Sequence, residues 1–370
     1  MSEATHTLDW QQLQDMPVAK WEPASILIDG QLYVLGGYEN YIMSSRCLHV
    51  FDPKTETWQQ LQDMPVAKWE PASILIDGQL YVLGGYENYI MSSRCLHVFD
   101  PKTETWQQLQ DLPSAISHVN LVPGESGFWF AGGMKDKVHP GKDHIIAEVW
   151  HYNIELDRYT AAPLLPGPRA GGGLARIGDN LHYISGLMAD RDTDSPDHWV
   201  LDLAAWREGE KTAWVEAAPL PVGRNQLSVA VLNEEIYVVG GQFNHDSQQL
   251  DQTNVDIYSP TTDTWRAGPS LPYGHSHSEG ATFVHADTIW MIGGHHTPAG
   301  EKKSFCGDIL TLQAGGEWQV MAKLPKPISS PAASIVDNTL YVAGGWDGRR
   351  ESETEKWLSS PEVWTAAIGA

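Results

Sequence analysis

WQQLQDMPVAKWEPASILIDGQLYVLGGYENYIMSSRCLHVFDPKTET, residues 10–57, is followed at residues 58–105 by the same 48 residues without a difference. The block length is a structural period, so it announces a repeat architecture. Identity at every position exceeds what a shared fold requires, because surface positions drift freely. The second copy is therefore young: an engineered duplication or a recent natural one. Inside the block, PASILID and QLYVLGG alternate in the manner of strands around the tight turn Asp29-Gly30. A polar loop, a third strand CLHVFDP and an aromatic-led fourth strand from Trp58 follow.

The same order runs through the whole chain. A Gly pair ends an apolar run at 36–37, 84–85, 132–133, 240–241, 293–294 and 344–345, and Ser185-Gly186 fills the remaining gap. These seven stations follow runs such as GFWFAGG, NLHYISG, EIYVVGG and TLYVAGG. Each is followed by a polar loop of variable length, a third strand (AEVWHYN, NVDIYSP, DILTLQA) and an aromatic residue opening a fourth: Trp58, Trp106, Tyr159, Trp214, Trp265, Trp318 and Trp364. In the diglycine, the aromatic before DP or SP and the Trp about seven residues later, the sequence resembles the kelch repeat, over essentially its full length. The resemblance implies an all-β fold, a β-propeller of four-stranded antiparallel blades. The physics agrees: one meander cannot bury both faces alone, and a ring covers them.

We therefore expect a seven-bladed propeller in one domain over residues 1–370, with identical units at 10–57 and 58–105 and the other five blades within 106–370. Without the duplicate, six stations remain, which implies a six-bladed parent. The competing outcome is a six-bladed ring with one blade extruded or swapped. Both Trp10-Gln-Gln-Leu-Gln and Trp364-Thr-Ala-Ala-Ile have the sequence of a fourth strand in the last blade. Trp10 heads the stronger match, so closure by the N-terminal strand is expected.

The formal charge of −23 disfavours nucleic acid and anionic membranes as partners. This acidic character suits a soluble protein, one from a salty environment, or one with a basic partner. No apolar run approaches a membrane span, and MSEATHTLDW has no secretory pattern, so a cytoplasmic monomer is expected. Cys47, Cys95 and Cys306 make neither a disulfide framework nor a CxxC metal site. No cofactor is implied.

In an up-and-down meander, the loops after the Gly pairs and the links between blades share one face. Variable loops on a rigid scaffold are where function concentrates. The starts of the innermost strands converge there: Lys20-Trp21-Glu22, Lys68-Trp69-Glu70, His118 in Ser117–Asn120, Arg169, Arg224-Asn225, and His275, His277 and Glu279 in HSHSE. The resemblance implies an Arg at this position, kept as Arg169 and Arg224. These residues form the candidate binding funnel; alternatively they bond to neighbouring blades and plug the channel. At strand period two, His275, His277 and Glu279 would point the same way, offering a hydrogen-bonding lining, an acid/base set or ligands for a divalent metal. His295, His296 and His245 are candidates to join them. The acidic loop LMADRDTDSPDHW lacks the glycine and terminal glutamate of an EF-hand and reads as solvated. Trp21 and Trp69 would suit stacking on a sugar ring or blade packing.

No nucleophile elbow, phosphate loop, dinucleotide fingerprint or zinc motif is present. The favoured function is a non-catalytic scaffold binding an unknown protein or small-molecule ligand on the loop face. The alternative is a kelch enzyme acting on a sugar, mutarotase-like or oxidase-like, through the Arg/His/Glu funnel. The copper ligand set of the oxidases has no match here, and no mutarotase motif carries over residue by residue.

Overall fold

The computed structural model describes residues 8–368 apart from 41–42, 89–90, 138–142, 208, 210–211, 246, 248 and 353–354. Seven four-stranded antiparallel sheets stand around a central axis. Blade 1 runs outward through Ala24–Ile28, Gln31–Leu35, Leu48–Asp52 and Thr57–Gln60, and blade 2 repeats it 48 residues later from Ala72–Ile76 to Thr105–Gln108. The innermost strands of blades 3 to 7 are Val122–Pro123, Gly173–Ile177, Ser228–Leu232, Thr282–His285 and Ala332–Val336. Neighbouring innermost elements touch all the way round, and blade 7 meets blade 1. Both identical blades sit in the ring, so no blade is extruded or swapped.

The core lies between blades. One cluster joins Tyr81, Leu83 and Val98 of blade 2 to Phe128, Phe130 and Tyr152 of blade 3. Another joins Leu32, Val34 and Phe51 of blade 1 to Tyr341, Ala343 and Val363 of blade 7. The alternating apolar residues of each strand therefore face the next sheet, which is why no blade is stable by itself.

Blade 7 closes the ring with strands from both chain ends. Its third strand is Val363–Ala367, and Gln11 and Gln12 pair with Thr365 and Trp364 as its fourth. The N-terminal closure expected from Trp10 is found. Trp364, expected to open a fourth strand, lies instead on the third, because the C-terminal residues pair with Thr339–Ala343 directly.

The Gly pairs clasp neighbouring blades. The N–H of each second glycine donates to a carbonyl at the start of the next blade. Gly37, Gly85, Gly133, Gly186, Gly241, Gly294 and Gly345 bond to Lys68, Ile116, Arg169, Arg224, His275, Ile328 and Lys20, at 2.7–3.1 Å. A Cβ on the first glycine would strike that same carbonyl: 2.7 Å from Lys68 O at Gly36 and 2.5 Å from Ile116 O at Gly84. Where Ser185 replaces the first glycine, its hydroxyl donates to Arg224 O at 2.7 Å. The diglycine thus answers to crowding by the adjacent blade's backbone.

Candidate functional site

The chain enters every innermost strand through a residue in the left-handed backbone region. In order these are Glu22, Glu70, His118, Gly171, Gln226, His277 and Ser330, with φ between 45° and 60°. Six of the seven are not glycine, so each carries local strain that the surrounding ring must hold. The kink turns all seven positions to one cavity of about 950 Å³ at the loop-face end of the channel. The cavity is also lined by Trp21, Trp69, Tyr86 and Trp346 on one side and by Glu279, His245, His295 and Lys303 on the other.

The two copies of the repeat meet here. Trp69 Nε1 donates to Glu22 Oε2 at 2.8 Å, and His118 Nε2 lies 3.3 Å from Glu70 Oε2. Burial, then the adjoining and hydrogen-bonded Glu70, push the Glu22 carboxyl well above the usual range. Glu22 is therefore the member of the acid pair that holds its proton more tightly than a free carboxyl. Glu279 is raised to about 7 by burial, then by Glu22 and Asp251.

Across the cavity His277 Nδ1 lies 2.8 Å from Ser276 Oγ, which donates to Asp251 Oδ1 at 2.7 Å. That chain assigns the His277 proton to Nδ1 and leaves Nε2 as an acceptor. His295 stacks on His277 with ring centroids 4.1 Å apart. Burial holds both imidazoles well below their ordinary value, so both are neutral. The site thus offers a carboxyl pair with a raised acid, neutral imidazoles and an aromatic wall, a set suited to hydrogen-bonding a polar ligand and to proton transfer.

Of the residues proposed from sequence, Trp21, Glu22, Trp69, Glu70, His118, His277 and Glu279 line the cavity. Lys20, Lys68, Arg169, Arg224, Asn225 and His275 do not. They are buried one residue or more before the kink, where the side chain turns into its own blade. Lys20 and Lys68 donate to the first-glycine carbonyls Gly36 O and Gly84 O at 2.9 and 3.0 Å. Arg224 Nε and His275 Nε2 do the same at Gly240 O and Gly293 O, at 2.6 and 2.5 Å. Arg169 pairs with Asp197 and Ser195, and Asn225 with Asp194 and Gln242. Desolvation in this layer lowers Lys20 and Lys68 to about 8.

The period-two reading of HSHSE is corrected on the same ground. Its residues are not a strand: the left-handed kink falls at His277, and Glu279–Ala281 form a 3-10 turn. His275 therefore parts from His277 and Glu279. Among the described residues no group of three or more His, Cys, Asp or Glu is placed to hold a metal. Trp21 and Trp69 are 5% and 7% exposed and pack with Tyr38, Tyr86 and Trp346, so they form the wall rather than open stacking platforms. Arg191, Lys303, Trp346 and Arg350, also lining residues, escaped the sequence reading. All four sit in or beside the variable loops, whose length differences hide any common position.

A family model described as the KLHDC2/KLHL20/DRC7 Kelch-repeats domain matches residues 3–186, and the Kelch motif matches 223–272. Kelch-like protein terF of Aspergillus terreus is 28% identical over 48% of this chain and 39% of its own length. Kelch repeat-containing protein At3g27220 of Arabidopsis thaliana is 24% identical over 58% of this chain and 54% of its own. Kelch repeat and BTB domain-containing protein 12 of Danio rerio is 28% identical over 54% and 33%. The chain thus spans about half or less of these relatives. Among solved structures, that of YjhT superposes with a TM-score of 0.64 at 17% identity, over 83% of this chain and 99% of that one. That likeness concerns the fold. No helix among the described residues is long and apolar enough to cross a membrane. With seven diglycine-clasped, four-stranded blades and these matches, the chain belongs to the kelch-repeat family.

Proposed function

We propose that the protein is a monomeric, cytoplasmic binding scaffold whose ligand enters the loop-face cavity, with a protein partner engaging the surrounding loops. The observation that carries this reading is the convergence of seven strained backbone positions on one polar cavity. Strain of this kind persists where the surroundings over-determine it, and it marks functional positions. Shape and chemistry agree: the volume lies in the range of ligand sites, with aromatic surface on one side and a few convergent polar groups. The test places a photo-crosslinking side chain at Asn120, on the cavity lining, and in a second variant at Val215, 66% exposed on the outermost strand of blade 4. Labelling from position 215 is the control. Adducts of one defined partner from position 120 alone support the reading. Equal labelling from both positions, or none from either, would sink it.

A second reading, catalysis on a sugar, is supported by one feature: Glu22, its carboxyl raised beside Glu70, lines the same cavity as the neutral His277. Acid–base groups so placed would assist ring opening of a reducing sugar. Exchange spectroscopy on a panel of reducing sugars tests it; anomer exchange no faster than in buffer rejects it.

We also propose that residues 58–105 were added, recently or by design, to a six-bladed parent. Every clasp is a main-chain bond to a carbonyl, so an extra blade leaves each junction chemically unchanged. The YjhT match, nearly complete for that chain, leaves about one blade's length of this one unmatched.

A further inference from the structure

The face opposite the variable loops has its own cavity, of about 400 Å³, between blades 3 and 4. It exists because blade 4 departs from the common plan. Between its third and fourth strands the chain forms the helix Leu203–Arg207, the one α-helix among the described residues. Leu203 N–H donates to Asp179 O at 2.8 Å, and Arg207 pairs with Asp179 and Glu125, both at 2.8 Å. These bonds hold Trp206 against Trp129 of blade 3, ring centroids 4.8 Å apart and edge to face.

Blade 3 departs from the plan at the matching place. The cross-strand pair facing the next blade is Tyr33–Val50 in blade 1, Tyr81–Val98 in blade 2 and Tyr237–Ile257 in blade 5. In blade 3 it is Trp129–His151. His151 is 7% exposed, lines the cavity and makes no hydrogen bond among the described residues. Burial, then Arg176, lower it to about 4, so it is a neutral polar group without a protein partner. A Cβ built on Gly124 would come 3.0 Å from His151 Nε2 and 3.1 Å from Trp129 Nε1. The two nitrogens therefore border one small space that only glycine leaves open.

The rim carries Arg158, Arg176 and Arg207 against two acids, Glu125 and the adjoining Asp179. In a chain of net charge −23 this is a local excess of positive charge. Arg207 is committed to ion pairs and Arg176 to the carbonyls of Pro123 and Gly178. Arg158 is exposed and has no ion pair among the described residues.

We propose that this cavity is a second ligand site, taking a small flat organic anion of the aryl carboxylate class. The ring lies against the aromatic wall that Trp206, Trp129 and His151 form together, and the carboxylate faces Arg158. Aromatic edges supply most of the contact, with the indole and imidazole nitrogens of Trp129 and His151 at its border. No side chain of the loop-face cavity takes part.

The intact chain is titrated with benzoate, benzamide and benzylamine, following Trp fluorescence and heat. The expected result is saturable benzoate binding at micromolar to low millimolar concentration, at least about tenfold tighter than benzamide, with no binding of benzylamine. Arg158→Gln, at an exposed position, should weaken benzoate about tenfold and leave the melting temperature unchanged. Gly124→Ala should block the space beside the two nitrogens and abolish binding. Glu22→Gln should leave benzoate affinity unchanged, which separates this site from the loop-face cavity. Benzoate and benzamide binding equally, no saturation by benzoate in the millimolar range, or affinity untouched by both Arg158→Gln and Gly124→Ala would each overturn the proposal.

Discussion

Trp69 Nε1 donates to Glu22 Oε2 at 2.8 Å, a bond from the second copy of the repeat to the first. The equivalent indole in the first copy, Trp21, lies 3.4 Å from Ser329 Oγ of blade 7. Identical sequences thus have different partners, because each is defined by the blade beside it. The bond also holds Glu22 next to Glu70. Trp69→Phe keeps an aromatic ring in the wall and removes this donor. A loss of about 1 kcal/mol in urea unfolding is expected, since the freed acceptor is half-buried at the cavity wall.

The buried pair Arg224–Asp256, 2.8 Å apart with side chains 0% and 6% exposed, is structural. Asp256→Ala leaves an uncompensated guanidinium inside blade 5. We expect a cost of about 3–5 kcal/mol, read by denaturant midpoint. Binding by the protein that remains folded should be unchanged, because neither residue reaches the cavity.

Closure by the N-terminal strand makes the first residues part of the core. Leu13 is 9% exposed, packs with Leu32, Phe51 and Val363, and its N–H donates to Val363 O at 2.9 Å. Leu13→Ala should cost about 2–4 kcal/mol. Removing residues 1–14 should lower the melting temperature further, as blade 7 loses its fourth strand. An unchanged melting temperature after that truncation would contradict closure.

Glu279 gives a pH signature. Its carboxyl is raised to about 7 in the folded chain against an unfolded value of 4.5. Between those values the folded state binds more protons than the unfolded one. Stability from this group is therefore complete below pH 4.5 and is lost as pH rises through 7. Glu279→Gln should unfold at a higher urea concentration than wild type at pH 8, with the advantage shrinking towards pH 5. An advantage that does not change with pH would assign the effect to packing instead.

Deleting residues 58–105 should yield a folded six-bladed ring. Gly37 N–H would then donate to Ile116 O in place of Lys68 O, the same kind of bond. Sedimentation and cooperative thermal unfolding of the shorter chain check this. An aggregated or non-cooperative product would show that the doubled blade is required.

Most of the fold was legible without coordinates. The diglycine stations, alternating runs and Trp-led fourth strands are local signals, since a strand shows its two faces at period two and a tight turn shows its glycine. The number of blades and their four strands followed from counting them, and the N-terminal closure from the match of Trp10 to the fourth strand at Trp58. Trp364 was misplaced because third and fourth strands share composition, and pairing between the two chain ends decides which is which.

The candidate site was half legible. Its location followed from topology alone, and Glu22, Glu70, His118 and His277 lay among the residues named. Lys20, Arg224 and His275 could not be told from them by type, because a donor gripping a carbonyl and one facing a ligand are the same letter. Only the left-handed kink, visible in backbone angles, separates the two layers. The sequence by itself determined the repeat, its period and the strand order, because these depend on neighbours along the chain. The tertiary structure decided which side chains meet, why each glycine is required and how two identical blades come to differ, because those depend on the blade next door.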